Sequence, residues 1–397
     1  MIVSEIPNRT NSFFLHLFVL VCFIVLLSPG LAYGRDGNTE SDAYLKQGRS
    51  KLRDVINART GMDATRKETR VDVLFKDYQG DGVPGAAVMI ISHGKPLLKK
   101  CYGMADIEHK TPVTSCTNFR LASVTKQFTA MCVMILAERG KIDYSDTLAQ
   151  IFPDFPPYAN KITIRHILQH TSGLKPYEDL IPTTATEQVK DRDVLRMMKQ
   201  QEETLFEPGA DYKYSNTGYA LLAMIIEKAS GKSFAGFLEQ EIFKPLGMEN
   251  TVAFEHGASI VPHRAFGYSM DKGTVKFSDQ SMTSAVLGDG GIYSSIDDLY
   301  KWDQALYTEK IVGRESLDMA FTPWRENYGF GWRIDQYKGR RRIHHTGSTS
   351  GFRTVFHRFP DDAFSVIILT NRSEPNVAPL AEKLVDMYLL NRKGVSP

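Results

Sequence analysis

FRLASVTKQFTAMCVMILAERGK, residues 119–141, sets Ser123 and Lys126 three positions apart at the head of an almost continuously apolar run through Ala130, Val133 and Met134. If a helix begins at Ser123, Lys126 lies one turn on and on the same face, with its amine in reach of the serine hydroxyl. Apolar neighbours disfavour the charged amine, so the expectation is a lowered pKa and a lysine able to accept a proton. The competing reading is a serine N-cap beside a lysine that snorkels to water. The tetrapeptide recurs by chance in long chains, so the rest of the sequence has to decide.

Upstream, VPGAAVMIISHGKPLLKKCYGMAD reads as β-structure. An apolar run from Ala86 to Ser92, a His93-Gly94 turn and a second run to Tyr102 make a hairpin. Downstream, to about residue 260, the chain is helix-rich with Pro and Gly punctuation, as in TIRHILQHTSGL, DVLRMMKQQ and NTGYALLAMIIEKASGKSFAGFLEQEIFKPLGM. The last third returns to strands in YGFGWRI, RRRIHHTGSTSGFRTVFHRF and FSVIILTN, and closes with a helix from about Val377 to Leu390. This order predicts an α+β fold: an antiparallel sheet flanked by helices, its strands drawn from both ends of the chain, with an all-helical insertion lobe in the middle. The boundaries expected are a catalytic body over 67–392, with an α/β lobe at 67–120 plus 285–392, a helical lobe at 121–284, and a tail at 393–397.

Residues 1–34 differ from the rest. Arg9 precedes an apolar run from Phe13 to Leu27, and Ala32 and Gly34 are spaced like a signal-peptidase site, so a cleaved export signal is expected, with a periplasmic or extracellular destination. Fifteen apolar residues are short for a membrane span of about 20. Residues 35–66 form a polar lead-in with one amphipathic stretch around Ala43 to Ile56. With 48 basic against 46 acidic residues, well mixed, nothing argues for nucleic acid as a partner; a small molecule or a peptide is the expected substrate. Outside the signal stand Cys101, Cys116 and Cys132, of which the first two are able to pair in an oxidising compartment while the third falls in the apolar run.

Two further segments carry polar groups suited to a cleft. EPGADYKYSNTGYALLAMII presents Tyr214, Ser215 and Asn216 on a turn before a helix; the plain alternatives are a packed aromatic and an N-cap. In the strand RRRIHHTGSTSGFRTVFHRF, Gly347 permits close approach of a ligand, and His345 and Thr346 offer donors; the alternative is a bulge in an edge strand.

In the order SxxK, YxN, HTG, with a helical section between the first and the last, the chain resembles the serine β-lactamase and penicillin-binding-protein superfamily. Its YxN form is similar to the class C β-lactamase branch, which includes D-alanyl-D-alanine carboxypeptidases, D-aminopeptidases and carboxylesterases. The resemblance spans about residues 70–392, with support from ITIRHILQHTSGL, GDGGIYSSIDDLYKW and YGFGW. It implies Ser123 as the acylated nucleophile, Lys126 and Tyr214 as the general base, and Asn216 as a partner of Lys126 and of the substrate amide. It implies an oxyanion hole from the backbone N–H groups of Ser123 and Ser348, a wall formed by His345, Thr346 and Gly347, and a floor shaped by Gly290 and Gly291. No metal or organic cofactor is implied. The third motif departs from penicillin-hydrolysing members by starting with His345 rather than lysine, so weaker and more pH-dependent carboxylate binding is expected.

The expected activity is an exported serine hydrolase acting through an acyl-enzyme, on a D-amino-acid peptide before an ester or a β-lactam. The rival from another class is a noncatalytic binding protein on the same scaffold. A zinc site at His166 and His170 lacks the glutamate of HExxH, since Ile167 follows the first histidine. An α/β-hydrolase reading fails because GSTSG, residues 347–351, has threonine at its centre.

Overall fold

Alternation along a single strand divides the core. In β1 (Ala86–Ser92), Ala86, Val88 and Ile90 enter one apolar cluster and Ala87, Met89 and Ile91 another, as the two-residue repeat of a strand requires. The computed structural model describes residues 49, 50, 53, 65, 67–255 and 259–391. The export signal, most of the lead-in with its amphipathic stretch, and the tail at 393–397 lie outside them. The chain divides into two units, Met1–Thr65 and Arg66–Pro397, and the sheet with its flanking helices belongs to the second.

β1 belongs to a six-stranded sheet with β2 (Lys95–Tyr102), β3 (Arg333–Tyr337), β4 (Arg340–Thr349), β5 (Phe352–Phe359) and β6 (Phe364–Thr370), in the order β3-β4-β5-β6-β1-β2. Every pairing is antiparallel, and β1 from the front of the chain joins β6 from its end through Ala86 opposite Thr370 and Ser92 opposite Phe364. The β1–β2 turn places His93 at φ 50° and Gly94 at φ 71°, the two left-handed residues that match the twist of a tight hairpin. β6 is buried throughout because both sheet faces are covered. On one face lie a helix at 67–74 and the closing helix Ala378–Val385, which bring Val71, Leu384 and Val385 against Val88 and Ile368. On the other lie α1 (Lys126–Glu138) and the helix Ile296–Ala305, where Phe128 stacks on Trp302 with ring centroids 4.3 Å apart.

α1 is buried from Lys126 to Leu136, which explains an apolar run with no polar stripe. The stretch 121–284, expected to be all-helical, is not: its helices are interrupted by irregular stretches, such as 200–215 and 259–267, and by short strands. Val252–Ala253 joins Ile292–Ser294 and Phe119–Arg120 in a three-stranded sheet, and Tyr268–Asp271 pairs with Thr274–Phe277. Periodicity misses such pieces because two to four residues carry too little pattern. Cys101, Cys116 and Cys132 are all free thiols, and Cys132 is buried in α1.

Candidate active site

The helix does not begin at Ser123. A 3-10 turn, Ala122–Thr125, carries the serine, and α1 follows from Lys126. Ala122 adopts φ 49°, a left-handed conformation that costs a residue with a Cβ roughly 1–2 kcal/mol. The turn is pinned on both sides. Leu121 N donates to the Ile292 carbonyl at 2.8 Å, and the Leu121 carbonyl accepts from Thr354 Oγ1 at 2.8 Å.

Lys126 is fully buried, yet its tip is not surrounded by hydrocarbon. Nζ donates to Ser123 Oγ at 3.1 Å, to Asn216 Oδ1 at 2.8 Å and to the Asp289 carbonyl at 2.8 Å. Three acceptors match the three N–H bonds of an ammonium. The apolar enclosure expected for the amine therefore holds for the stem alone.

Asn216 is the first residue of α2 (Asn216–Ser230), whose N-cap is Ser215. The amide works in two directions: Oδ1 takes the lysine, and Nδ2 donates to Glu178 Oε1 at 2.8 Å. Tyr214, two residues earlier, lays its ring 4.9 Å from Lys126 Nζ. Its hydroxyl is shielded from solvent and has no hydrogen-bond partner among the described residues. Behind Tyr214 lies His170, fully buried, with ring centroids 4.3 Å apart; its Nδ1 accepts from Ser215 N–H at 3.1 Å. Burial, reinforced by the Lys126 and Arg333 charges, holds this imidazole neutral, with its pKa well below the usual histidine range. His166 accepts from Thr163 N–H at the start of its own helix. The i, i+4 histidines thus brace two different pieces of backbone.

β4 runs past the turn that carries Ser123. A methyl at Gly347 would come within 2.1 Å of the Leu121 carbonyl oxygen and 2.2 Å of Thr354 Oγ1, so only glycine lets the strand approach this closely. Pairing with β3 stops at Arg333 opposite His344, leaving the edge from His345 onward unpaired with another strand beside that turn. His345 and Gly347 are buried and Thr346 and Ser348 exposed, in strand alternation. Both nitrogens of His345 are engaged inside the protein: Nδ1 donates to the Thr346 carbonyl at 2.7 Å, and Nε2 accepts from the Tyr328 hydroxyl at 3.0 Å. Burial first, then the Lys126 charge, pushes its pKa well below the histidine range. The pH-dependent carboxylate binding expected of His345 is therefore corrected: the group is neutral and already hydrogen-bonded. His344 faces away, its Nε2 3.3 Å from Asp335 Oδ2 and its ring against His357.

Three charged residues of this region escaped the sequence reading. Arg333 lies 5.8 Å from the Tyr214 ring and 5.6 Å from the Tyr328 ring. It also faces the Tyr212 phenol, whose pKa burial raises and this charge draws down, and it has no carboxylate ion-paired to it among the described residues. It directly follows the noted YGFGW, and an arginine at the end of that string was the available signal. Asp289 stands inside the noted GDGG string, between Gly288 and Gly290, while Glu178 comes from a separate segment and had no signal. Gly290 lies beside the Ser123 turn, where a methyl would sit in ordinary contact with Ala122 at 3.5 Å.

A family profile, Beta-lactamase, matches residues 71–387. The chain belongs to the beta-lactamase family. Penicillin-binding protein 4* of Bacillus subtilis (strain 168) is 34% identical over 328 residues, covering 77% of this chain and 71% of its own length. Among solved structures, the octameric penicillin-binding protein homologue of Pyrococcus abyssi superposes with a TM-score of 0.72 at 26% identity, covering 82% of this chain and 77% of that one. The D-amino acid amidase of Ochrobactrum anthropi SV3 complexed with L-phenylalanine amide gives 0.69 at 25%, covering 81% and 97%. This beta-lactamase-family chain is thus a serine hydrolase, and its antiparallel sheet with flanking helices is the fold of those homologues. No helix among the described residues is long and apolar enough to cross a membrane.

Proposed function

We propose that this serine hydrolase is exported and cleaves the amide bond of D-amino-acid peptides or amides through an acyl-enzyme on Ser123. The observation that carries the reading is the lysine tip, with Nζ 3.1 Å from Ser123 Oγ and locked by Asn216 and the Asp289 carbonyl. In the proposed sequence the Lys126–Tyr214 pair holds one proton fewer than ammonium plus phenol, so Ser123 Oγ attacks the scissile carbonyl carbon as its proton passes to the deprotonated member. The carbonyl oxygen takes up the electron pair and is stabilised by the N–H groups of Ser123 and Ser348. Collapse of this intermediate breaks the C–N bond, and the pair returns the proton to the departing amine. Water then attacks the ester by the same route in reverse, releasing the acid and restoring the serine.

Substrate charge is the basis for choosing a peptide. His345 is neutral and internally bonded, so the cation suited to a substrate carboxylate is Arg333, held over Tyr214 and Tyr328. The likeness to a D-amino acid amidase supports the D-configuration. Export rests on the apolar run from Phe13 to Leu27, and N-terminal sequencing of the secreted protein should give a start near Arg35.

The test is a hydrolysis panel of D-Ala-D-Ala peptides, D-amino-acid amides, p-nitrophenyl esters and nitrocefin, with Ser123→Ala in parallel. Turnover is expected for the D-amino-acid substrates, little for nitrocefin, and none in the variant. Activity that survives Ser123→Ala removes the nucleophile assignment; nitrocefin turnover above that of the peptides removes the substrate assignment.

A further inference from the structure

One acidic side chain of the site takes no part in the proposed acyl transfer. Asp289 sits in the helical turn Leu287–Gly290, and its main-chain carbonyl is one of the three acceptors of Lys126. Its carboxylate Oδ2 accepts from the Tyr177 hydroxyl at 3.1 Å. Tyr177 is in turn tied to α2, since its N–H donates to Thr217 Oγ1 at 2.9 Å, one residue beyond Asn216. The far end of the turn is held by a second carboxylate: Asp191 accepts from the N–H groups of Leu287 at 2.8 Å and Gly288 at 2.9 Å. The backbone between has no slack. A methyl at Gly288 would come within 2.3 Å of the Tyr219 carbonyl, and one at Gly291 within 2.7 Å of Leu287. The Asp289 carbonyl under Lys126 is thus carried on a turn pinned at one end by Asp191 and at Asp289 itself by the Tyr177 hydroxyl.

We propose that Asp289 is a positioning residue for Lys126: its buried carboxylate, when ionised, holds the ammonium on the Asp289 carbonyl and Asn216 and so over Ser123, and its protonation releases that hold. This rests on Ser123 as the nucleophile and goes beyond it by naming what controls the lysine. The groups that face the carboxylate are the Lys126 and Arg120 cations, the Glu178 and Asp191 carboxylates and the Tyr177 phenol. Arg120 donates to the Ser284 carbonyl and Glu178 accepts from Asn216, whereas Lys126 is the cation bonded to Asp289 itself, through its main-chain carbonyl. Burial raises Asp289 to about 6, against the lowering pull of Lys126 and the Tyr177 hydroxyl, which places its proton change where the enzyme can be assayed.

The experiment measures the second-order rate at which a fluorophosphonate labels Ser123, by intact mass, from pH 4.5 to 9. Wild type is expected to show an acid limb with a midpoint near 6. Asp289→Asn, which keeps an acceptor for Tyr177, is expected to lose that limb and to label between about 10- and 100-fold more slowly at pH 8, the scale of a misplacement of about 1 Å. Tyr177→Phe is expected to move the limb to higher pH by removing a bond that favours the carboxylate. Glu178→Gln separates the two carboxylates and is expected to keep the limb.

A stability measurement distinguishes this role from plain scaffolding. Asp289 has a folded value near 6 above its unfolded value of 3.8, so the folded state binds the extra proton and stability falls as pH rises through that window. Asp289→Asn should therefore melt higher than wild type above pH 6.5, with the difference vanishing below about pH 4. An unchanged acid limb in Asp289→Asn, or full labelling speed at pH 8, overturns the proposal and leaves the nucleophile standing. No adduct on wild-type Ser123 at any pH overturns both.

Discussion

Arg333 illustrates how a charge is recognised by what it lacks. An exposed arginine earns little from a surface pair, but this guanidinium lies half-buried against two tyrosine rings with no carboxylate bound to it among the described residues. Arg333→Ala is expected to raise KM for substrates with a free carboxylate by about 10-fold or more and to leave neutral esters within about twofold, since a charged hydrogen bond contributes roughly 1.5–3 kcal/mol. Arg333→Lys should recover only part, because a point charge does not reproduce the planar fork. Equal loss on both substrate classes would count against the carboxylate role. His345 makes the opposite point: a histidine in the third motif reads as a titrating group, but burial and two internal bonds make it silent across the working pH range. Residue type was legible there. Protonation was not, because it depends on Tyr328 and on a lysine more than two hundred residues away.

Strand β4 is where local pattern and close packing meet. Its alternation was readable, and so was the glycine within it. What the glycine does depends on the Leu121 carbonyl and Thr354, which a linear reading does not place beside it. Gly347→Ala is expected to push β4 from the nucleophile turn and reduce kcat by about 10²–10³-fold, the loss of one oxyanion donor, with a smaller fall in Tm; a variant with wild-type kcat would remove the strand from the oxyanion hole. Helix α1 shows the converse error. The apolar run correctly marked a buried helix, but its start was expected at Ser123, whereas a 3-10 turn with a left-handed Ala122 precedes it. Helical periodicity does not register such a turn, which is maintained by the bonds of Leu121 to Ile292 and Thr354.

The two sides of the fold are joined through a buried ion pair. Arg358 on β5 donates from Nε to Asp303 Oδ1 at 2.8 Å, with both side chains 1% exposed, and Ser365 on β6 donates to the same oxygen. Asp303→Ala strands the guanidinium and is expected to lower the unfolding free energy by about 3–5 kcal/mol, whereas adding Arg358→Met should recover most of it; chemical denaturation of the two variants checks this, and equal destabilisation would show that packing rather than charge is at stake. The antiparallel sheet built from both ends of the chain, the buried helix and the three polar strings that line the candidate site were all legible in the amino-acid order, because strand alternation, apolar runs and short polar motifs are written locally. What waited for the tertiary structure was everything that depends on segments far apart in the chain: the oxygen shell around Lys126, the neutrality of His345, the unpaired Arg333 and the carboxylate of Asp289. Electrostatic environment is a property of assembled neighbours, and a sequence names those neighbours without saying which of them touch.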